Sequence, residues 1–361
     1  MSGSELEKER EREREEGSRA LSHTNTSATQ RAHIMLVNSL AAEDTSGVLG
    51  RKLIQRRDCR EHDVYIKIKY CGICHSDLHQ IRAEWDMSIY YPMVPGHEIV
   101  GVVESVGESV TKFKEGDRVG VGCFVDSCRE CSSCKAGWEN YCLGVPGKQD
   151  SMHGTYNCCL KDNNNELLFG GYSQSITVDE NYVLSIPDSL PLYVAAPLLC
   201  AGITMYSPLS HFGCREKGPQ MKVGIQGFGG LGQMGVKLAK QMGCHVTVLS
   251  TSASKQKAAE ELGADFLVTS DTEKLKEQEA TFDLIISTIS ANYDINPYFG
   301  LLKVAGTYCL VGKLFLSLPP PFFGPPSRLT PLPLTNSFIT PLFLPLKVCR
   351  PMVCVSILSE L

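Results

Sequence analysis

A chain of 361 residues, 43% hydrophobic and 21% charged, holds more apolar material than one core accommodates, since single cores stop growing near about 250 to 300 residues. Its 35 basic against 40 acidic side chains give a net charge of -5, which excludes the basic footprint of a nucleic-acid binder or an anionic-membrane binder and fits a protein acting on small molecules. Sixteen cysteines in a chain too long to be a disulfide-stapled mini-domain point to metal binding or catalysis in a reducing compartment.

The chain opens on Glu5 to Glu16, seven acids and four bases with no apolar stripe, which predicts a charged extension over residues 1–34, either a solvated helix or disorder. It has neither the apolar core of a secretory signal nor the acid-poor text of a transit peptide, so a cytoplasmic location is the default expectation. From Met35 the text becomes that of a folded domain. Short β-like runs separated by Gly and Pro, at Val64 to Tyr70, Ile99 to Val106 and Arg118 to Val121, predict a strand-rich domain over 35–200. Beyond about residue 220 the period changes. Strands at Lys222 to Gln226, His245 to Ser250, Phe266 to Thr269, Asp283 to Thr288 and Thr307 to Val311 alternate with helices at about Gly230 to Met242 and Lys255 to Leu262, the pattern of βαβ units on a parallel sheet. This second domain is expected over 201–312. The last stretch, 313–361, carries ten of the nineteen prolines and one acid, Glu360. That density predicts an irregular tail without central strands, and no apolar run in it reaches the roughly 18 residues of a membrane span.

Cys128-x2-Cys131-x2-Cys134-x7-Cys142 is the most specific spacing in the chain. Four thiolates match the tetrahedral preference of zinc, and a closed sulfur shell leaves no position for substrate, so the site is expected to be structural. Cys123, Cys158 and Cys159 do not fit the spacing. A second set, Cys74, His97 and Cys200, would bind zinc through two sulfurs and one nitrogen with the fourth position open, and Glu98 would fill that position or stand behind it. An open position lets zinc activate an alcohol oxygen or polarise a carbonyl. Asp77 suits the place behind the ligand histidine. Sequence distance alone does not join these residues.

Strand Lys222 to Gln226 runs into Gly227, Phe228, Gly229, Gly230, Leu231 and Gly232 and then a helix, the context that a GxGxxG turn requires to cradle a pyrophosphate at a helix N-terminus. An NAD-binding chain places Asp or Glu about 20 residues on. Here Ser250, Thr251, Ser252, Ser254 and Lys255 occupy the end of the next strand, where hydroxyls and a cation suit a 2′-phosphate, so NADP is favoured over NAD. The competing reading is an ordinary loop capped by Ser252 or Ser254.

Together, CGICHSDLH, PGHEIVG, GDRVGVG, the four-cysteine segment, AAPLLCAGIT and GFGGLG resemble the zinc-dependent medium-chain alcohol dehydrogenases, within them the cinnamyl alcohol dehydrogenase-like branch, over about Gly47 to Gly312. The resemblance implies an α/β protein: a GroES-like β-rich catalytic domain plus a Rossmann doubly wound parallel sheet, with the C-terminal part atypical or truncated. It implies catalytic zinc on Cys74, His97 and Cys200 beside Glu98, and structural zinc on Cys128, Cys131, Cys134 and Cys142, two zinc ions per chain. It assigns a proton relay to Ser76 and His79, and NADP contacts to Thr204, Gly227 to Gly232, Ser250 to Lys255, Thr288 and Gly312. The expected activity is hydride transfer between NADP(H) and an aromatic or aliphatic aldehyde or alcohol. Family members continue past the Val-Gly pair into a sixth Rossmann strand that pairs subunits. The proline-rich tail stands there instead, so a homodimer is doubtful and a non-catalytic zinc-binding remnant is the alternative.

Overall fold

The computed structural model describes residues 35–85, 88–145, 152–160, 166–311 and 346–348; the charged extension, Gly312 and the remainder of the proline-rich tail lie outside the described residues. Strands β1 (Met35–Ala42) and β2 (Leu49–Arg56) form a two-stranded sheet ahead of the first expected strand. Strand β3 (Asp63–Cys71) leads into a helix at His75–Ile81, followed by β4 (Ile99–Val106) and β5 (Arg118–Val121). Two short two-stranded sheets, β6 (Phe124–Asp126) with β7 (His153–Gly154) and β8 (Cys159–Leu160) with β9 (Glu166–Leu167), precede β10 (Ser175–Asp179) and β11 (Leu184–Ser185).

The five-stranded sheet is antiparallel in the order β10-β3-β4-β5-β11. Its β-branched residues Val64, Ile66, Ile99, Val103, Val119, Val121 and Ile176 are buried and pack with Phe124 and Tyr182. Branched side chains are stiff and fill a pleated surface well, which explains why these runs were legible as strands. The two ends of this sheet matter for the site: β3 ends at Cys71, and β4 begins at Ile99, directly after His97 and Glu98.

The second sheet is parallel. Strands β12 (Lys222–Gln226), β13 (His245–Ser250), β14 (Asp265–Val268), β15 (Phe282–Ser287), β16 (Leu302–Leu310) and β17 (Leu346–Val348) lie in the order β14-β13-β12-β15-β16-β17. Relabelled from the first, this is the 3-2-1-4-5-6 order of a dinucleotide-binding sheet, with the strand order reversing beside β12. Helix Gly230–Gln241 buries the small face Gly232, Gly235, Val236 and Ala239 against the sheet. Helix Ala201–His211 packs on it, with Met205 seated at Gly235.

Two expectations change here. Strand β16 starts at Leu302 instead of Thr307, because a register break after Phe282↔Leu302 lets the chain pair on both sides of an irregularity that includes Ala305 in the left-handed region. The tail also supplies a ladder, contrary to the irregular chain expected: Tyr308↔Leu346, Cys309↔Lys347 and Leu310↔Val348. The reason is local, since Leu346 to Val348 is free of proline and takes the sheet edge, the position where flanking prolines such as Pro345 are tolerated. The helices at His75–Ile81 and Thr272–Glu277 were not anticipated at all; each has fewer than two turns of periodicity to read.

Leu284 is fully buried at the centre of the parallel sheet, whereas Val304 is fully exposed. Leu284→Ala is expected to cost about 2–5 kcal/mol, and Val304→Ala less than about 0.5 kcal/mol, in denaturant unfolding.

Candidate functional site

Four side chains far apart in sequence, Cys74, His97, Glu98 and Cys200, place one donor atom each within 4.8 Å of one another. Cys74 comes from the loop between β3 and helix His75–Ile81, His97 and Glu98 from the approach to β4, and Cys200 from the start of helix Ala201–His211. The two sulfurs are 3.8 Å apart. Two thiolates on one tetrahedral zinc, each at about 2.3 Å, would be separated by about 3.8 Å. A disulfide would need about 2.05 Å, and both cysteines are free. The cluster therefore fits the metal, and three of its four members are buried.

Asp77 organises the surroundings. Its carboxylate faces His97 Nδ1 at 3.3 Å, which leaves Nε2 as the ring nitrogen available to a metal. It also accepts from the backbone N–H groups of Cys74 and Gly96, both at 3.0 Å. Glu98 passes directly over Gly72, where any Cβ would strike its carboxylate, so the residue after β3 has to be small.

The metal-free charges follow from this crowding. Burial, and then the neighbouring Cys74, push Glu98 up to about 7. A hydrogen bond with Cys200 together with burial lifts Cys74 up to about 12. Burial would raise Asp77 too, but its bonds with His97, Cys74 and Tyr156 hold it below the usual carboxylate range. His97 responds in the opposite sense: burial disfavours its cation, yet Asp77 and the two sulfurs keep it well above an ordinary imidazole. Thiols protonated in this way must release protons when a metal binds.

The helix His75–Ile81 carries Ser76 and His79 three residues apart, on one face. Ser76 Oγ lies 3.5 Å from Cys74 Sγ. His79 Nδ1 contacts Glu84 at 2.6 Å, and its ring stacks on Trp85.

The second group, Cys128, Cys131, Cys134 and Cys142, also gathers its four sulfurs within 4.8 Å, with Cys128 and Cys134 at 3.9 Å. Backbone N–H groups point at the sulfurs: Cys131 donates to Cys128, Leu143 to Cys131, and both Cys128 and Gly144 to Cys142, at 3.3 to 3.4 Å. The backbone N–H of Cys134, and then that of Leu143, push Cys131 down to about 6, favouring the thiolate that a metal requires. Cys123, Cys158 and Cys159 stand outside both groups, as their spacing suggested.

At the carboxyl ends of β12, β13 and β15 three segments meet. Gly227 donates its N–H to Leu249 O and takes φ 88°, a left-handed turn that admits glycine. A Cβ on Gly232 would fall on the Gly227 carbonyl oxygen, so the helix can approach only without one. Above Gly229 and Gly230 the space is open, next to helix N–H groups that have no intrahelical partner. Phe228 is buried in the sheet core, and Leu231, half-buried, packs against it. Thr288 Oγ1 donates to Gln226 O at 3.0 Å and braces the turn from β15. Ser250, Thr251, Ser252, Ser254 and Lys255 line the adjacent loop; Ser252 Oγ meets Ser254 Oγ at 2.9 Å and caps the Ser254 N–H. Thr204 is buried one turn after Cys200, whose carbonyl receives its N–H. Gly312 lies outside the described residues. What sequence reasoning missed is the pair Tyr156 and Tyr172, which reach Asp77 from loops with no motif to mark them.

Comparisons with known proteins agree with this architecture. Residues 60–188 match the family model of the alcohol dehydrogenase GroES-like domain, and residues 230–334 that of the zinc-binding dehydrogenases. The NADP-dependent alcohol dehydrogenase C 1 of Mycolicibacterium smegmatis is 53% identical over 277 residues, 76% of either chain. Among solved structures, a cinnamyl alcohol dehydrogenase from Sorghum bicolor superposes with a TM-score of 0.73 at 46% identity, over 79% of both chains. CAD from Helicobacter pylori, in complex with NADP(H), gives 0.70 at 42% identity, covering 77% of this chain and 76% of its own.

One consequence is measurable without metal. With a folded value near 7 against an ordinary 4.5, Glu98 keeps its proton in the folded state while the unfolded chain loses it. Its contribution to stability is complete below the lower value and falls as pH rises toward the upper one. Chelated protein unfolded in denaturant is therefore expected to lose stability between about pH 4.5 and about pH 7, and Glu98→Gln to flatten that slope.

Proposed function

This chain belongs to the zinc-dependent alcohol dehydrogenase family, and from that premise we propose that it interconverts an aldehyde and its alcohol with NADPH as the hydride source, on aromatic or medium aliphatic substrates. The observation that carries this reading is the Cys74, His97, Glu98 and Cys200 cluster with its tetrahedral sulfur spacing. Zinc held there would supply Lewis acidity toward the substrate oxygen, and bound NADPH would supply hydride.

The chain's own residues take the remaining tasks. Cys74, His97 and Cys200 hold the metal, Asp77 fixes the imidazole, and Glu98 stands as the adjacent carboxylate. Ser76, beside Cys74, meets the proton of the reacting oxygen, and His79 on the same helix face passes it outward, where Glu84 contacts its ring. General acid–base assistance of this type is worth about 10²- to 10⁴-fold. Gly227 to Gly232 and the helix N-terminus receive the pyrophosphate, and Ser250 to Lys255 receive the 2′-phosphate. Cys128, Cys131, Cys134 and Cys142 hold a structural zinc that offers substrate no open position. Assembly as a homodimer is supported by the edge strand β17, which extends the sheet to a sixth member. A cytoplasmic setting suits sixteen cysteines of which the described ones form no disulfide.

The test is metal content together with NADPH-dependent reduction of cinnamaldehyde or benzaldehyde. Two zinc ions with turnover support the proposal; two without turnover make the chain a zinc-binding remnant. Cys74→Ala is expected to abolish turnover with the fold retained, whereas Cys128→Ala lowers the melting temperature first; equal and mild effects on both would overturn the assignment. Lys255→Ala is expected to raise KM for NADPH by about 10- to 150-fold while leaving KM for NADH nearly unchanged, because a charged hydrogen bond contributes about 1.5–3 kcal/mol.

A further inference from the structure

Asp77 is 2% exposed and its two oxygens face five polar groups. Besides the Cys74 and Gly96 amides and His97, Tyr156 donates its hydroxyl to Oδ1 at 2.7 Å, and Tyr172 donates to Oδ2 at 3.4 Å. The Tyr156 contact is the shortest of the set. The same tyrosine lays its ring on the His97 imidazole, with centroids 5.9 Å apart and planes 23° from parallel. One side chain thus touches both halves of the Asp77–His97 pair. At 4% exposure it has no alternative hydrogen-bond partner in water.

Its backbone is anchored on both sides. Thr155 donates its hydroxyl to Gly122 O next to β5. Asn157, in the left-handed region at φ 57°, accepts from the Tyr90 amide at 2.9 Å and donates to Ser88 O at 3.1 Å. Tyr172 is held by its own loop, whose amides bond to Val94, Pro95 and Gly96, the residues that lead to His97.

We propose that Tyr156, supported by Tyr172, is a positioning residue of the catalytic metal site: its hydroxyl fixes the Asp77 carboxylate and its ring fixes the plane of His97, so that Nε2 is presented to the metal in one orientation. This rests on Cys74, His97 and Cys200 being the ligands. Groups that orient a ligand histidine typically contribute about 10- to 100-fold in metal affinity. Tyr156→Phe removes the hydroxyl and keeps the ring; Tyr156→Leu removes both.

The experiment uses the full chain and two readouts other than turnover: zinc retention against a chelator, and the visible spectrum of the cobalt(II)-substituted protein. Tyr156→Phe is expected to weaken one of the two zinc sites about tenfold and to shift the cobalt spectrum, with the other zinc retained as in the parent; Tyr156→Leu goes further. In an Asp77→Asn background the loss of the Tyr156 hydroxyl is expected to add less than about twofold, because the two act as one unit. Tyr308→Phe, a buried tyrosine of the other sheet, is the control: it lowers the melting temperature and leaves both metal affinities unchanged. Tyr156→Phe with parental metal affinity and cobalt spectrum overturns the proposal, as does loss of both zincs together. Should that variant not fold, Tyr172→Phe carries the test through the second hydroxyl, and an unshifted spectrum there overturns it equally. A parent protein that takes up only the four-cysteine zinc fails at the earlier step, the ligand assignment itself.

Discussion

The carboxylate of Asp77 is the point on which the catalytic half of the molecule converges. It starts the helix His75–Ile81 by accepting the Cys74 amide, closes the Gly96 turn, and braces His97. An unpaired buried charge would cost several kcal/mol, so an anion in this position is tolerable only with its lone pairs filled. The donors come from four separate stretches of chain, and filling them brings those stretches to one place. Folding and site assembly are therefore the same event here: the loop carrying Cys74 and the loop carrying His97 cannot separate without stranding the charge between them.

The two metal clusters show why one was readable and the other was not. Cys128, Cys131, Cys134 and Cys142 lie within fifteen consecutive positions, and short loops force their sulfurs together, so spacing alone exposes the site. Cys74, His97 and Cys200 meet only because the end of β3, the start of β4 and the start of the helix after Leu199 come together, a fact of topology that no local pattern carries. The motifs of a known family joined them, and the sulfur separation of 3.8 Å is the independent physical support. Tyr156 had neither advantage, since a tyrosine in a loop looks the same whether it faces water or a buried carboxylate.

The parallel sheet was read from its alternation because buried parallel strands are near-continuous apolar runs, as Val223 and Ile225 or Leu284 to Ile286 show. Proline density misled at the other end of the same sheet. Counting prolines over the whole tail hid the proline-free positions 346–350, of which Leu346–Val348 pair, and an edge strand asks for ladder bonds on one side only. The irregular start of β16 has a similar origin, in that the left-handed Ala305 breaks a pairing that the apolar pattern on either side would have continued.

The amides that surround the four-cysteine lobe have a consequence for its charge. Four thiolates around one divalent cation would leave a doubly negative lobe, which in most settings would call for lysines or arginines nearby. Here the compensation comes from main-chain N–H groups of Cys128, Cys131, Leu143 and Gly144. Because every residue type except proline carries that donor, this stabilisation of the sulfurs does not depend on which side chains stand between the cysteines. The loop can then change its surface residues, such as the exposed Trp138 and Leu143, while the cysteine positions and the path of the backbone stay constant.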